Sequence, residues 1–155
     1  MMNGIRENLQ IFVRRFGLLN ASCCESCCGE SISLVQSHIL FEVRRMGHPS
    51  MQQVAEELGI DITTFSRQVK GMQEKKWLRR SVSPEDRRVN LLGLTEEGLR
   101  VMGQIDRFLE ERIQRILSFL TPFEREVVIR SLGLLNGALI QAGKVESQEK
   151  VACCK

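Results

Sequence analysis

The 155-residue sequence is poor in proline and in aromatic residues, with three prolines, no tyrosine and 5% aromatic residues overall. Scarce proline favours long helices, and scarce aromatic residues argue against a β-sandwich or a protein that stacks bases on aromatic rings. No apolar run approaches the length of about 18 residues that a membrane span requires. Residues 1–15 lack the apolar block of a signal peptide, so we expect a cytoplasmic protein with reduced cysteines.

The positive charge of the chain is concentrated in one segment. The whole sequence carries a net charge of +3, whereas residues 61–90 hold eight basic and four acidic residues and therefore carry +4 alone. A phosphate backbone is the natural partner of such a segment. A solvated basic face explains the charge equally well. The sequence pattern around this segment therefore has to decide between a nucleic-acid-binding surface and a solvated face.

Apolar residues at three- and four-residue steps predict a mainly helical chain. Ser33, Ser50 and Thr121 are each followed three residues later by Gln or Glu, which is the signature of a capping box at a helix start. Asp61 and Thr95 are the expected caps of two further helices. In chain order, helices are predicted over residues 4–19, 33–46, 50–58, 61–72, 95–120 and 121–143.

The middle of the chain predicts a helix-turn-helix followed by a β-hairpin. The third and fourth predicted helices are joined by a short turn that contains Gly59, as in helix-turn-helix motifs. Residues 77–83 and 89–94 are β-capable runs on either side of the polar turn 84–88, which predicts a hairpin. The link His48-Pro49, ahead of the motif, is predicted to be extended.

The second helix of a helix-turn-helix enters the major groove of DNA with its N-terminal residues first. If Phe65, Val69 and Met72 are buried, the polar side chains of this helix lie on or beside its outer faces. Arg binds guanine through two hydrogen bonds, Gln binds adenine, Thr contacts a thymine methyl group, and Ser, Thr and Lys also bind phosphate oxygens. The candidate DNA-binding residues of this helix are Thr63, Thr64, Ser66, Arg67, Gln68 and Lys70.

The tip of the predicted hairpin adds Arg87 and Arg88 to the candidate DNA-binding residues. A narrow minor groove concentrates negative potential and attracts an inserted arginine. We expect Arg87 to insert, while Arg88 pairs with Asp86 and holds the tip in shape. The alternative is that Asp86 and Arg88 form only a surface pair, which would stabilise the fold by well under ~1 kcal/mol.

Several motifs of this region resemble the winged-helix core of MarR-type (multiple antibiotic resistance regulator) repressors. They are the runs at residues 64–72 and 74–80, Ser-Pro-Glu-Asp-Arg-Arg at 83–88, and Leu-Thr-Glu-Glu-Gly at 94–98. With the flanking helices, the resemblance covers residues 4–143. It implies a winged helix-turn-helix, an obligate homodimer on a pseudo-palindromic operator, and release of the DNA by a small effector.

Two residues depart from the MarR-type pattern. Lys76 stands where these proteins usually have glycine, and a left-handed backbone there would cost about 1 kcal/mol. Trp77 replaces a smaller aliphatic residue and is expected in the core at the base of the wing.

The predicted organisation of the chain is mainly α with a small β-hairpin wing. Residues 1–48 and 96–143 form a discontinuous helical dimerisation module, residues 49–95 form the DNA-binding region, and residues 144–155 form a flexible tail.

Six cysteines are clustered outside the DNA-binding region. Structural cysteines usually occur singly and buried, so clusters in polar segments point to function. One hypothesis is that thiolates capture a thiophilic ion, with As(III) as first choice and Cu(I), Hg(II) and Zn(II) as alternatives. A second is reversible thiol oxidation, and a third is an apolar effector bound between helices with the cysteines incidental. The candidate ligands are Cys23, Cys24, Cys27, Cys28, Cys153 and Cys154.

Two other classes of protein compete with the repressor. A thiol oxidoreductase would use Cys24 and Cys27 as a redox pair, but such enzymes need a βαβ frame that this sequence lacks. A metal-sequestering protein would use the cysteines and leave Arg67 and the predicted wing unexplained. We therefore expect a repressor rather than an enzyme, with no cofactor needed for folding.

Overall fold

The computed structural model describes residues 2–16 and 32–153, and the side chains of residues 4–16 and 32–143. Over these residues the chain forms six helices and an antiparallel two-stranded hairpin, which confirms the predicted mainly helical fold with a small wing. The elements are α1 (Met2–Phe16), α2 (Leu34–Met46), α3 (Met51–Glu57), α4 (Ile62–Glu74), β1 (Leu78–Val82), β2 (Asn90–Leu94), α5 (Glu96–Leu117) and α6 (Pro122–Cys153).

The predicted capping boxes are present at the starts of α2 and α3. The Ser33 hydroxyl accepts the backbone N–H of Gln36 at 3.2 Å, and the Gln36 side chain accepts the Ser33 N–H at 3.2 Å. Ser50 and Gln53 exchange the same two hydrogen bonds at 3.1 and 2.8 Å. These bonds satisfy donors that a helix start otherwise leaves unpaired, so the sequence alone determines where both helices begin.

The hairpin is joined to the helix-turn-helix by backbone hydrogen bonds. Strand β1 pairs with β2 in a register that runs from Leu78 opposite Leu94 to Val82 opposite Asn90. Just before α3, the Pro49 carbonyl accepts the N–H of Leu92 at 2.8 Å. The chain ahead of α3 therefore borders β2 and connects the wing to the helix-turn-helix.

A single apolar core lies beneath these elements. It includes Ile39 and Leu40 of α2, Phe65 of α4, Leu92 of β2 and Trp77 between α4 and β1, each at most 1% exposed. The burial of Trp77 confirms its expected position at the base of the wing. Since each of these elements contributes to one cluster, helix-turn-helix and wing are packed as a unit.

The chain divides into two compact units, one ending at Leu109 and the other beginning at Glu110. The first contains the helix-turn-helix, the hairpin and the apolar core. The second contains the end of α5 and all of α6, whose start is capped by Thr121 and Glu124 as predicted. None of the helices in the described residues is long and apolar enough to cross a bilayer.

The predicted extended link before α3 is wrong. Gly47 and His48 both have positive φ angles, 63° and 56°. Histidine is among the non-glycine residues that adopt this region more often than most. Two successive left-handed residues turn the chain sharply after α2, and this turn buries Pro49 while its carbonyl bonds to β2.

The predicted end of the last helix also needs correction. The helix was expected to stop near Gly143, with residues 144–155 as a flexible tail, but α6 continues to Cys153. Residues 144–153 contain neither glycine nor proline and include Lys, Glu, Gln and Ala, which are strong helix formers. Polar composition alone is therefore a poor indicator of a helix end.

Candidate nucleic-acid interface

Helix α4 begins at a strong N-terminal cap. A carboxylate oxygen of Asp61 accepts the backbone N–H groups of Thr63 and Thr64, both at 3.0 Å. Hydrogen bonds from the Thr64 side chain, and then from its backbone N–H, hold the pKa of Asp61 below its ordinary value. Asp61 therefore stays ionised near neutral pH and keeps the first turn of α4 ordered.

The inner face of α4 is anchored in the core, as the sequence predicts. Phe65, Val69 and Met72 are each at most 1% exposed. Because a helix turns about 100° per residue, burying this stripe directs the residues between its members outward. The candidate residues that the structure exposes on α4 are Thr63, Thr64, Ser66, Arg67 and Lys70.

Gln68 does not lie freely on the outer face. It is only partly exposed, and its side-chain oxygen accepts a hydrogen bond at 3.4 Å from the side-chain amide of Gln36 on α2. The sequence placed Gln68 beside the exposed residues because helical periodicity says nothing about the neighbouring helix. The Gln68 amide nitrogen can still donate a hydrogen bond, but a two-bond contact with adenine would make the base compete with Gln36 for the Gln68 oxygen.

The end of α4 has the backbone geometry that glycine usually supplies. Lys76 has a φ of 59°, so the left-handed conformation considered from the sequence is present. Its N–H donates to the Gln73 carbonyl at 2.9 Å, and the Trp77 N–H donates to the Met72 carbonyl at 2.9 Å. These two bonds close the helix and turn the chain into β1.

The wing tip is held by Asp86, although not in the predicted way. The Asp86 carboxylate accepts the backbone N–H of Arg88 at 2.9 Å, and the Asp86 carbonyl accepts the N–H of Val89 at 2.9 Å. Among the described residues, neither Arg87 nor Arg88 forms a side-chain ion pair. An aspartate in a tight turn bonds most easily to the backbone two residues ahead, which explains why it does not pair with the arginine side chain.

Two exposed surfaces border β1 and carry basic side chains. One groove lies between α4 and β1, and its lining includes Arg67, Lys70 and Arg80. The other lies between the helix-turn-helix and the wing, and its lining includes Arg80 and Arg88. No acidic residue is among the described residues that line either groove, so both surfaces suit an anionic partner.

Arg80 was not among the candidates taken from the sequence, although a signal for it was present. Side chains alternate across a strand, and Leu78 of β1 is buried. Arg80 therefore shares the face of the hairpin that points toward α4, whereas Arg79 lies on the opposite face. Applying strand alternation to the basic residues would have added Arg80 to the predicted interface.

The candidate metal ligands fall largely outside the described residues. Cys23, Cys24, Cys27, Cys28 and Cys154 lie outside them, and of Cys153 only the backbone is described, as the last residue of α6. Within the described part of the chain, no group of three or more His, Cys, Asp or Glu residues could hold a metal ion. The cysteine site stays a prediction from the sequence.

Known proteins resemble this chain in sequence and in fold. A model of the MarR family matches residues 31–89. The HTH-type transcriptional regulator YfiV of Bacillus subtilis (strain 168) is 26% identical over 113 residues, which are 73% of this chain and 71% of YfiV. The HTH-type transcriptional regulator PecS of Dickeya dadantii (strain 3937) is 32% identical over 98 residues, 61% of this chain and 57% of PecS.

The comparison with solved structures shows that the similarity in fold covers most of the chain. FabT of Streptococcus pneumoniae, crystallised in complex with DNA, superposes with a TM-score of 0.78 at 21% identity, over 91% of this chain and 99% of FabT. This similarity shows the fold, and the family match covers the helix-turn-helix, β1 and the hairpin turn but ends before β2. Members of the family are transcription regulators and not enzymes. Over residues 31–89 the chain therefore matches the MarR family, and the described residues share their winged helix-turn-helix fold with FabT.

Proposed function

We propose that the protein is a homodimeric repressor that binds a pseudo-palindromic DNA site with α4 in the major groove. The observation that carries this proposal is the division of α4 into two faces. One face is buried through Phe65, Val69 and Met72, and the other presents exposed polar and basic side chains from a capped N-terminus. A helix anchored in this way can enter a groove without losing its core contacts.

The exposed residues of α4 differ in the contacts they can make. Arg67 has the planar donors that recognise guanine, and Thr63 can contact a thymine methyl group. Thr64, Ser66 and Lys70 are suited to phosphate oxygens, which position the helix without reading the sequence. Gln68 is a weaker candidate for adenine, because its side chain already bonds to Gln36.

The wing supplies a second contact to the same duplex. In the proposed complex, Arg87 enters the minor groove beside the half-site, where a narrow groove attracts its charge. The backbone N–H of Arg88 is bonded to the Asp86 carboxylate, and Arg88 lines the groove between the helix-turn-helix and the wing. The closed turn at Asp86 keeps the two arginines at the tip of the wing.

A second copy of the chain is the proposed partner of the terminal helices. Apolar side chains of α6 are exposed in the single chain, including Phe123 at 76% and Leu139 at 61%. Apolar surface of this extent marks an interaction site, and a two-fold dimer is its simplest closed solution. Two copies of α4 would then read half-sites about 34–36 Å apart.

The proposed effector acts through the cysteines. Thiolates of Cys23, Cys24, Cys27 and Cys28, with Cys153 or Cys154, would bind a thiophilic metalloid or metal ion, As(III) first and Cu(I), Hg(II) or Zn(II) as alternatives. What supports this is the clustering of the cysteines in the sequence outside the DNA-binding region. Thiol oxidation at the same residues is the alternative trigger.

The DNA-binding proposal is tested with a duplex that the wild-type protein selects from a random library. Arg67→Ala should cost about 1–3 kcal/mol on the selected duplex and relax the preference at one base position in each half-site. Lys70→Ala is the matched variant on the same helix, and it should weaken selected and scrambled duplexes alike. A wild-type protein that selects no duplex at low salt would overturn the proposal.

The effector proposal is tested on the same duplex by adding arsenite, Cu(I), Hg(II), Zn(II) or peroxide to the reduced protein. We expect one of these reagents to release the wild-type protein from the duplex. The double variant Cys24→Ser/Cys27→Ser should stay bound to the duplex under the same conditions. Both proteins should bind the duplex equally before the addition. If the double variant is released at the same ion concentration, these two thiols are not the switch.

A further inference from the structure

We propose that Arg80 of β1 binds the DNA phosphate backbone where that backbone passes between α4 and the wing. The inference rests on the proposed function and adds a contact to it. Arg80 lies between the two groups of side chains that enter the grooves, and it is exposed. Its partner would be a phosphodiester, recognised by charge and shape rather than by base sequence.

The position of Arg80 follows from the two grooves that meet at β1. It lines the groove between α4 and β1 together with Ser66, Arg67 and Lys70. It also lines the groove on the wing side together with Ser66, Arg88 and Asn90. Arg80 and Ser66 therefore stand at the boundary between the recognition helix and the wing.

The geometry of duplex DNA determines what must lie at this boundary. Each sugar-phosphate strand separates a major groove from the adjacent minor groove. If α4 occupies the major groove and the wing tip occupies the adjacent minor groove, the strand between them has to cross the space between α4 and the wing. Ile62, Ser66 and Arg80 line the grooves on both sides of that space, and Arg80 is the charged residue among these three.

The chemistry of Arg80 fits a phosphate. A guanidinium presents planar paired donors that match phosphate oxygens, and charge-assisted bonds of this kind are stronger than neutral ones. Among the described residues, Arg80 has no carboxylate partner in an ion pair. Its charge is therefore available to a ligand, and no internal pair has to break before binding.

The strand itself offers a matched control. Arg79 carries the same charge one residue away, but it lies on the opposite face of the hairpin. The Arg79 side chain lies beside Gly93, its partner in the strand register, and close to His48. A Cβ added to Gly93 would be 3.0 Å from the Arg79 Nε and 3.3 Å from the His48 Nδ1. Removing Arg79 changes the net charge by the same amount without touching the proposed phosphate contact.

The test measures the affinity of wild-type, Arg80→Ala, Arg80→Lys and Arg79→Ala proteins for the library-selected duplex and for a scrambled duplex between about 50 and 200 mM salt. Arg80→Ala should weaken binding about tenfold or more on both duplexes and leave their ratio unchanged. For a dimer it should reduce the slope of log K against log salt by about 2. Arg80→Lys should retain most of that slope, and Arg79→Ala should weaken binding less than about threefold.

Equal losses for Arg79→Ala and Arg80→Ala would show general attraction by net charge and overturn the proposal. A loss confined to the selected duplex would make Arg80 a base-reading residue and overturn it as well. Equal thermal unfolding temperatures of the two alanine variants serve as the folding control. If the wild-type protein binds neither duplex, it is the proposed function that fails, and the two failures are thereby distinguished.

Discussion

The junction between α4 and the wing depends on a few individual residues. The Trp77 carbonyl accepts the N–H of Thr95 at 3.1 Å, and the Thr95 hydroxyl in turn donates to the Lys76 carbonyl and accepts the N–H of Gly98 at 3.0 Å. The left-handed Lys76 is thus held between a helix end and the start of α5. Local strain at this residue is tolerated because long-range hydrogen bonds determine its backbone conformation.

Replacing Lys76 by glycine should stabilise the protein. Glycine adopts the φ of 59° without the penalty that a Cβ imposes, so Lys76→Gly should raise the free energy of unfolding by about 1 kcal/mol. Urea unfolding at fixed protein concentration measures the change. The control is Lys75→Gly at a right-handed position, with φ −77°, where glycine should instead destabilise. A stabilised Lys75→Gly would contradict the explanation.

Gly98 is required for a close approach of backbone. A Cβ at this position would lie 2.0 Å from the Trp77 carbonyl oxygen, a distance that only a backbone shift can relieve. Gly98→Ala should therefore destabilise by about 2–3 kcal/mol or more, since the two atoms nearest to the added methyl group belong to the Trp77 backbone. Gly103→Ala, on the same helix with nothing within 4 Å of the added atom, should stabilise by up to about 1 kcal/mol. Similar unfolding midpoints for the two variants would show that the contact is unimportant.

The helices differ in how much of their structure is local. Helix α4 is determined by its cap at Asp61 and its buried stripe, and both are readable from the sequence. Helix α6 continues past Gly143 because nothing in residues 144–153 breaks it, and a helix ends at a specific signal rather than at a change of polarity. Capping residues and helix breakers are therefore the signals that located the helices best.

Acid should destabilise the protein partly through the cap of α4. The pKa of Asp61 is lowered in the folded state, so its contribution is present above the unfolded value and is lost as pH falls through the folded one. We expect the urea concentration at the unfolding midpoint to decrease when the pH is lowered below about 4. Asp61→Asn should lose less over the same window, because asparagine caps a helix without titrating.

The comparison of the two pH curves isolates Asp61 from the other carboxylates. The Arg100 side chain lowers the pKa of Glu97, and hydrogen bonds from the Thr121 backbone N–H, and then from its hydroxyl, lower the pKa of Glu124. Both groups titrate in the variant as in the wild type, so some loss in acid should remain. Superimposable curves would rule out a contribution of Asp61.

At the level of the whole molecule, the distribution of apolar side chains is uneven. The core lies between Ile32 and Ile105, whereas large apolar residues of α1 and α6 are exposed in the single chain. Exposed apolar surface on otherwise charged helices is costly in water, so these helices are the expected sites of association.

Charge on α6 should prevent association. Leu132 and Leu139 are seven residues apart on one helix face and are 46% and 61% exposed. Leu132→Asp/Leu139→Asp should convert a dimer into a single chain of 17.7 kDa and weaken operator binding by about 100-fold or more. Light scattering after size-exclusion chromatography measures the mass. Val82→Asp, at a 56% exposed wing residue, is the control that should remain dimeric.

Much of the DNA-binding region was predictable, and the misses have a common cause. The hairpin turn, the caps and the buried stripe of α4 follow from residues close together in the sequence. The hydrogen bond between Gln68 and Gln36 was not predictable, because Gln36 lies on another helix. Strand alternation could have placed Arg80 on the face of the hairpin toward α4, but its position between two grooves emerges only when α4 and the wing are packed.

The amino-acid sequence alone determined the order of the elements, the start of each capped helix and the residues that face the core. These features depend on backbone groups and side chains within one or two turns of each other. Only the tertiary structure decided the left-handed conformations of His48 and Lys76, the intolerance of Gly98 for a side chain, and the place of Arg80. Hydrogen bonds and contacts between residues distant in the chain hold these features in place, and local propensity alone does not determine them.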